Sequence, residues 1–204
     1  MGFLRSIFGP SKDEIWSQIA DGIGGDYIDG GFWGRDALVY QHGEWTVVLD
    51  TYTVRSNNSS TTYTRMRAPF VNKDGLYFKI YREGVFSSVG KFFGMQDLEV
   101  GDPYFDDQFV IKGNDIEQIR LLLSDDLKPL IEVQPRISLE IRDDEGWFGA
   151  GFPDGVDELY FTCVGVMKDT QLLHALFELF SCILERLVQI DSAYEDDPNV
   201  HLLG

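Results

Sequence analysis

The spacing of apolar and polar positions changes period several times along this chain. Ser11-Lys12-Asp13-Glu14 has the S-x-x-E form of a capping box, in which hydroxyl and carboxylate each take up a free backbone amide at a helix start. Ile15, Trp16, Ile19, Ala20 and Ile23 follow at helical spacing, and the cluster Gly22-Ile23-Gly24-Gly25 stops the helix. The period then drops to two. Residues 37–40 and 45–54 are rich in β-branched and aromatic side chains, residues 55–60 form a polar loop, and residues 61–70 read as the returning strand. Leu76, Phe78 and Ile80 alternate with Tyr77, Lys79 and Tyr81, and the short spacing predicts an antiparallel meander. Residues 105–112 read as a further strand, as do 137–141 and 159–166. Between them Asn114-Asp115-Ile116-Glu117 is a second capping box, and Ser124 is placed to cap a short helix ending near Glu132. Residues 84–94 read as loop or short helix.

The last helix, residues 170–190, is the strongest element. Gln171, His174, Glu178, Ser181, Glu185, Arg186 and Gln189 mostly share one polar stripe, with His174 above Glu178 as an i,i+4 surface pair. Apolar side chains fill the remainder, a wider face than a surface helix buries under one layer. The helix is therefore expected to be covered on two sides, by another element of the chain or by a partner. Leu176, Phe177, Phe180, Leu184 and Leu187 are the positions expected at such an interface. The whole reads as α+β, a mainly antiparallel sheet with an N-terminal helix, two short middle helices and a long apolar C-terminal helix. It is expected to be one domain over residues 1–204, with a conceivable boundary near 114, an arm at 1–10 and a polar tail at 191–204.

Composition changes the picture through charge. Asp and Glu number 34 against 17 Lys and Arg, a net charge of −17, which weighs against nucleic acid as a partner. The basic residues are uneven. Arg55, Arg65, Arg67, Lys73, Lys79, Arg82 and Lys91 face only Asp74 and Glu83, so residues 55–91 carry +5. Within them Arg65, Arg67, Lys79 and Arg82 interleave with Tyr63, Tyr77 and Tyr81. Such a basic-aromatic mixture is either a solvated face balancing the acidic half or a docking face for an anionic partner.

Chemistry is scarce. Residues 84–92 imitate a phosphate loop but have five residues between the glycines and Phe92 in the magnesium position. His42, His174 and His201 show no metal-ligand spacing, and Cys163 and Cys182 read as buried reduced thiols. The acidic stretch from Asp143 to Glu145, with Asp154, Asp157 and Glu158, departs from the EF-hand pattern. No catalytic constellation, cofactor motif or metal set is legible, which leans away from an enzyme. Residues 1–9 carry Phe3, Leu4, Ile7 and Phe8 and match M-G-x-x-x-[ST]. They read as an arm that folds back on the protein or touches a membrane surface, and no run is long enough for a span.

Several stretches resemble an uncharacterised family of small bacterial cytoplasmic proteins. They are Glu14-Ile15-Trp16, Gly30-Gly31-Phe32-Trp33, Leu49-Asp50-Thr51-Tyr52-Thr53, the segment from Tyr63 to Phe70, the segment from Gly101 to Asn114, and Asp144-Glu145-Gly146-Trp147-Phe148. The resemblance implies a bacterial, intracellular protein and transfers no functional residue. The expectation is a cytoplasmic, non-enzymatic protein-interaction module or homodimer without cofactor. The alternative is a small-molecule binder or enzyme using an acidic/Arg cluster assembled by the fold, for instance Asp102 or Asp106 with Arg65 or Arg67.

Overall fold

Ser11 takes the role its spacing gives it. Its hydroxyl accepts from Glu14 N while the Glu14 carboxylate accepts from Ser11 N, and Gly24 in the left-handed region ends the helix. In the computed structural model, residues 9–31, 35–56, 59–82, 97–143 and 151–203 are described. The expected arm at 1–9 falls almost wholly outside them, as do the loop at 84–94 and most of the acidic stretch after Asp143. The elements run α1 (Lys12–Ile23), β1 (Asp26–Ile28), β2 (Ala37–His42), β3 (Trp45–Ser56), β4 (Ser59–Asn72), β5 (Phe78–Arg82), α2 (Pro103–Gln108), β6 (Phe109–Gly113), α3 (Ile116–Leu122), α4 (Lys128–Glu132), β7 (Ser138–Asp143), β8 (Val156–Val164), α5 (Thr170–Gln189) and β9 (Ala193–Tyr194). The fold is α+β with an antiparallel sheet.

The sheet order is β1-β2-β3-β4-β8-β7-β5-β6, with β9 added to β4. The meander holds from β1 to β4 and then breaks. Strand β5 does not return beside β4, because β8 takes that place and pairs Arg65 with Thr162 and Arg67 with Tyr160. The reason is burial. Residues 156–161 of β8 are buried on both faces, which suits a central strand and not an edge.

One face of the sheet, carrying Leu49, Met66, Phe70, Phe161, Leu139 and Ile80, joins Trp16, Ile19, Phe177, Phe180 and Leu184 of the helices in a single core. Helix α5 lies in the middle of that layer, in contact with α1, α3, α4 and β9. This accounts for its broad apolar face. Leu176, Phe177, Phe180, Leu184 and Leu187 are each 3% exposed or less in the single chain. They are core residues, so the expected partner interface through them is corrected: the flanking helices provide the second cover.

Four local expectations also change. Residues 105–112 are not one strand, because Asp102 accepts from Tyr104 N and Phe105 N and Pro103 sets the first turn of α2. The cap of α3 is Asp115, while Asn114 bridges Tyr77 N and Gly75 O. Helix α4 has no side-chain cap from Ser124. The expected polar tail begins inside the sheet, with Ser192 and Ala193 buried. Among the described residues no helix is long and apolar enough to cross a membrane.

If α5 is core, Phe180→Ala removes about 3–5 kcal/mol of stability, read as a lower urea midpoint, and leaves the molecular mass in solution unchanged. A mass change with little loss of stability would restore the interface reading.

Candidate functional site

The sheet face turned away from α5 carries a charged lattice. Asp50 stands opposite Arg65 across β3 and β4. It lies in the apolar run Val47-Val48-Leu49, with 1% of its surface exposed. The Arg65 guanidinium donates to both Asp50 oxygens, with Nη2 to Oδ2 at 2.8 Å. Arg67 Nη2 donates to the same Oδ2 at 3.2 Å. Further along, Arg142 Nε and Nη2 donate to Glu158 Oε2 at 2.9 and 2.8 Å, and Arg67 Nε lies 4.0 Å from Glu158 Oε1. Lys79 Nζ donates to Glu140 Oε2 at 2.8 Å. Aromatic rings pack among these charges. The Arg142 guanidinium lies 3.4 Å from the Tyr160 ring centre, Arg65 lies over Tyr52, and the Tyr52 and Tyr63 rings stack at 5.1 Å.

The electrostatics follow from burial. Removal from water pushes the Glu158 carboxyl up from its ordinary value, against the pull of Arg142 and Arg67. It pushes the Tyr160 phenol up as well. Burial, helped by the neighbouring charge of Arg65, lowers Arg67, whose Nε has no hydrogen-bond partner. Four cations, Arg65, Arg67, Arg142 and Lys79, thus meet three carboxylates, Asp50, Glu158 and Glu140. The lattice spends its charge on itself. It ties β3, β4, β8, β7 and β5 together and leaves little to hold a phosphate.

Of the expected basic-aromatic set, Arg65, Arg67, Lys79 and Tyr81 share this face. Arg82 does not. It points into the helix layer, where Nη2 donates to Glu132 O at 2.6 Å, Nη1 to Gln108 Oε1 at 3.0 Å and Nε to Gln134 O at 3.3 Å. Tyr77 precedes β5, and its hydroxyl donates to Asp157 Oδ1 at 3.3 Å. The expected pairing of Asp102 or Asp106 with Arg65 or Arg67 is also absent. Asp102 caps α2 and accepts from Lys128 Nζ at 2.9 Å, and Asp106 accepts from Val100 N and Gly101 N. An acidic/Arg cluster is assembled by the fold, but from Asp50, Glu158 and Arg142. Sequence reasoning missed these, although an acid isolated inside an apolar strand run was the signal.

Other chemistry-bearing side chains are dispersed. His42 Nε2 lies 2.9 Å from Glu185 Oε1. His174 sits against Gly22 of α1, and the expected bond to Glu178 is not made. Among the described residues no three His, Cys, Asp or Glu side chains gather as metal ligands do. Cys163 is buried and Cys182 half-buried, both free thiols.

Beyond the lattice, β3 and β4 continue as a two-stranded ribbon. Strand β2 leaves β3 after Asp50, and β8 leaves β4 at Tyr63. Residues 53–56 and 59–60 are exposed on both faces, and Val54 is 51% exposed. Among the described residues no strand pairs with the outer edge of β3 beyond Asp50.

Two outcomes follow. Asp50→Asn leaves Arg65 and Arg67 buried without their carboxylate and costs about 3–5 kcal/mol, measured by urea unfolding. Burial also pushes the Cys163 thiol from 9.0 up to about 11. The folded state therefore holds the proton longer than the unfolded chain, and stability from this residue is whole below pH 9.0 and declines as pH rises towards about 11. The difference in unfolding free energy between the natural chain and Cys163→Ala, followed across that range, should shrink with rising pH.

No family model matches the chain, and no curated protein matches it. Its structure is similar to the crystal structure of the mycobacterial trehalose monomycolate transport factor A, with a TM-score of 0.51. The match covers 86% of this chain and 94% of that one at 9% sequence identity. At that identity the likeness is one of fold.

Proposed function

We propose that this protein is a non-enzymatic protein-interaction module that works by strand pairing at the β3–β4 ribbon. The observation that carries the reading is the ribbon's edge, left unpaired among the described residues. Residues 51–56 of β3 run past β2 with no described strand on that side. Backbone amides and carbonyls in such a row are a template for another chain's strand. Proteins ordinarily blunt such an edge with lysine, proline or a bulge. Here the exposed positions are Thr53, Val54, Arg55 and Ser56, with one charge among them. A second copy of this chain or a different protein would add its strand there.

The reading replaces the interface first expected on α5, and the self-neutralised lattice supports it. A face whose arginines already hold carboxylates is a poor landing place for a polyanion. A bacterial, cytoplasmic setting and kinship with an uncharacterised bacterial family belong to the same reading and rest on the residue stretches that suggested them.

The variant Val54→Lys tests the ribbon, since it places a charge on an exposed position that the fold does not use. For self-pairing, light scattering of the purified chain should give more than one chain's mass, falling to one chain's in V54K with unchanged thermal stability. For a different partner, a photo-crosslinker at position 54 in the native cell should capture one discrete protein, and the same probe at exposed Leu121 should not. A strict monomer that captures nothing at position 54 overturns the reading.

A further inference from the structure

Acids outnumber bases 34 to 17, and most described cations are engaged. Lys12 holds Asp36, Lys73 holds Asp191, Lys112 holds Asp97 and Lys128 holds Asp102. Arg35, Arg55, Arg136 and Lys168 differ: all four are exposed, and among the described residues none makes a hydrogen bond or an ion pair. Of these, Arg136 and Lys168 line one cavity. It lies at the C-terminal end of β8, between the α4–β7 connection and the segment leading into α5. Its volume is about 170 Å³, and Phe161, Cys163, Val166 and Met167 supply apolar wall.

Size and lining restrict what fits. A dry apolar cavity of ~150 Å³ takes a benzene ring, so this one admits a single ring or a short branched chain. Two unspent cations beside it favour an anionic head, and a carboxylate suits them. Asp169 also lines the cavity, but its carboxylate is committed to Gln171 N and Leu172 N at the start of α5. Gln134, 1% exposed, also lines the cavity, and its Nε2 donates to Leu172 O at 3.1 Å, which holds that wall against the start of α5.

We infer that this cavity is a binding site for a small carboxylic acid with a compact apolar body, whose carboxylate meets Arg136 and Lys168 while its ring or branched chain enters beside Cys163. The site is separate from the ribbon edge, so it stands or falls without it.

The test uses the full chain. Benzoate and isovalerate are titrated by calorimetry at fixed salt, alongside benzamide, which lacks the charge, and acetate, which lacks the body. Both acids should bind saturably, with the two controls weaker by about tenfold. The double variant R136Q/K168Q changes exposed residues only, and should weaken benzoate by a similar factor at unchanged melting temperature. Saturating benzoate should slow alkylation of Cys163 and leave Cys182 unaffected. Absence of saturable binding by either acid overturns the inference. So does equal affinity for benzamide, affinity unaltered in R136Q/K168Q, or an unchanged Cys163 rate at saturation.

Discussion

Two carboxylates, Asp50 and Glu158, sit almost wholly out of water on the sheet face turned away from the helices. A charge in that position is tolerated only with a cation and hydrogen bonds at hand. The bidentate contact of Arg65 with Asp50 and the doubled contact of Arg142 with Glu158 meet that demand. Because these partners come from neighbouring strands, the demand falls on strand pairing. A slip of one residue between β3 and β4 would turn Arg65 towards Leu159, Phe161 and the helices, and would leave Asp50 beside Met66. The apolar face alone rewards burial of any similar side chain, whereas the lattice rewards one alignment. Such a network adds little net stability over an apolar replacement. Its contribution is register, and it fixes the alignment of β8 in the central place that its burial on both faces already favours.

Much of this was legible in the chain, for local reasons. The Ser11–Glu14 box, the alternation in β5 and β7, and the polar stripe of α5 are short-range signals that the tertiary structure did not override. The errors have the opposite character. Residues 105–112 are rich enough in aromatics for a strand, yet Asp102 and Pro103 upstream turn the first half into helix. The place of β8 in the sheet depends on partners almost a hundred residues away, which spacing does not encode. Arg82 and Lys79 looked alike in composition, but they differ by an odd number of strand positions and so occupy opposite faces.

The C-terminal helix shows why breadth of apolar surface is an ambiguous sign. A wide stripe requires cover on two sides, and the sequence cannot say whose. Here the cover is α1, α3 and α4 from the same chain. The candidate sites proposed above are places where backbone or charge is left unspent, and neither property appears in a hydropathy pattern. An open strand edge at Val54 depends on where β2 ends. A free cation at Arg136 depends on which carboxylates the other bases of an acidic chain have already taken.

Both unspent features lie at one end of the sheet, and Thr64 connects them. Its buried hydroxyl donates to Gly165 O at 2.8 Å and accepts from Met167 N at 2.9 Å, while Gly165 N donates to Thr62 O at the base of the ribbon. Met167 is part of the cavity wall, and Thr62 and Tyr63 are the last β4 residues before the ribbon leaves the sheet. The ribbon can therefore project without fraying because its base is fastened by side chain and backbone to the segment that leads into α5. The same fastening holds the cavity wall in place. A rigid base keeps the exposed edge extended and the cavity open, which would lower the ordering cost for any strand or ligand bound there.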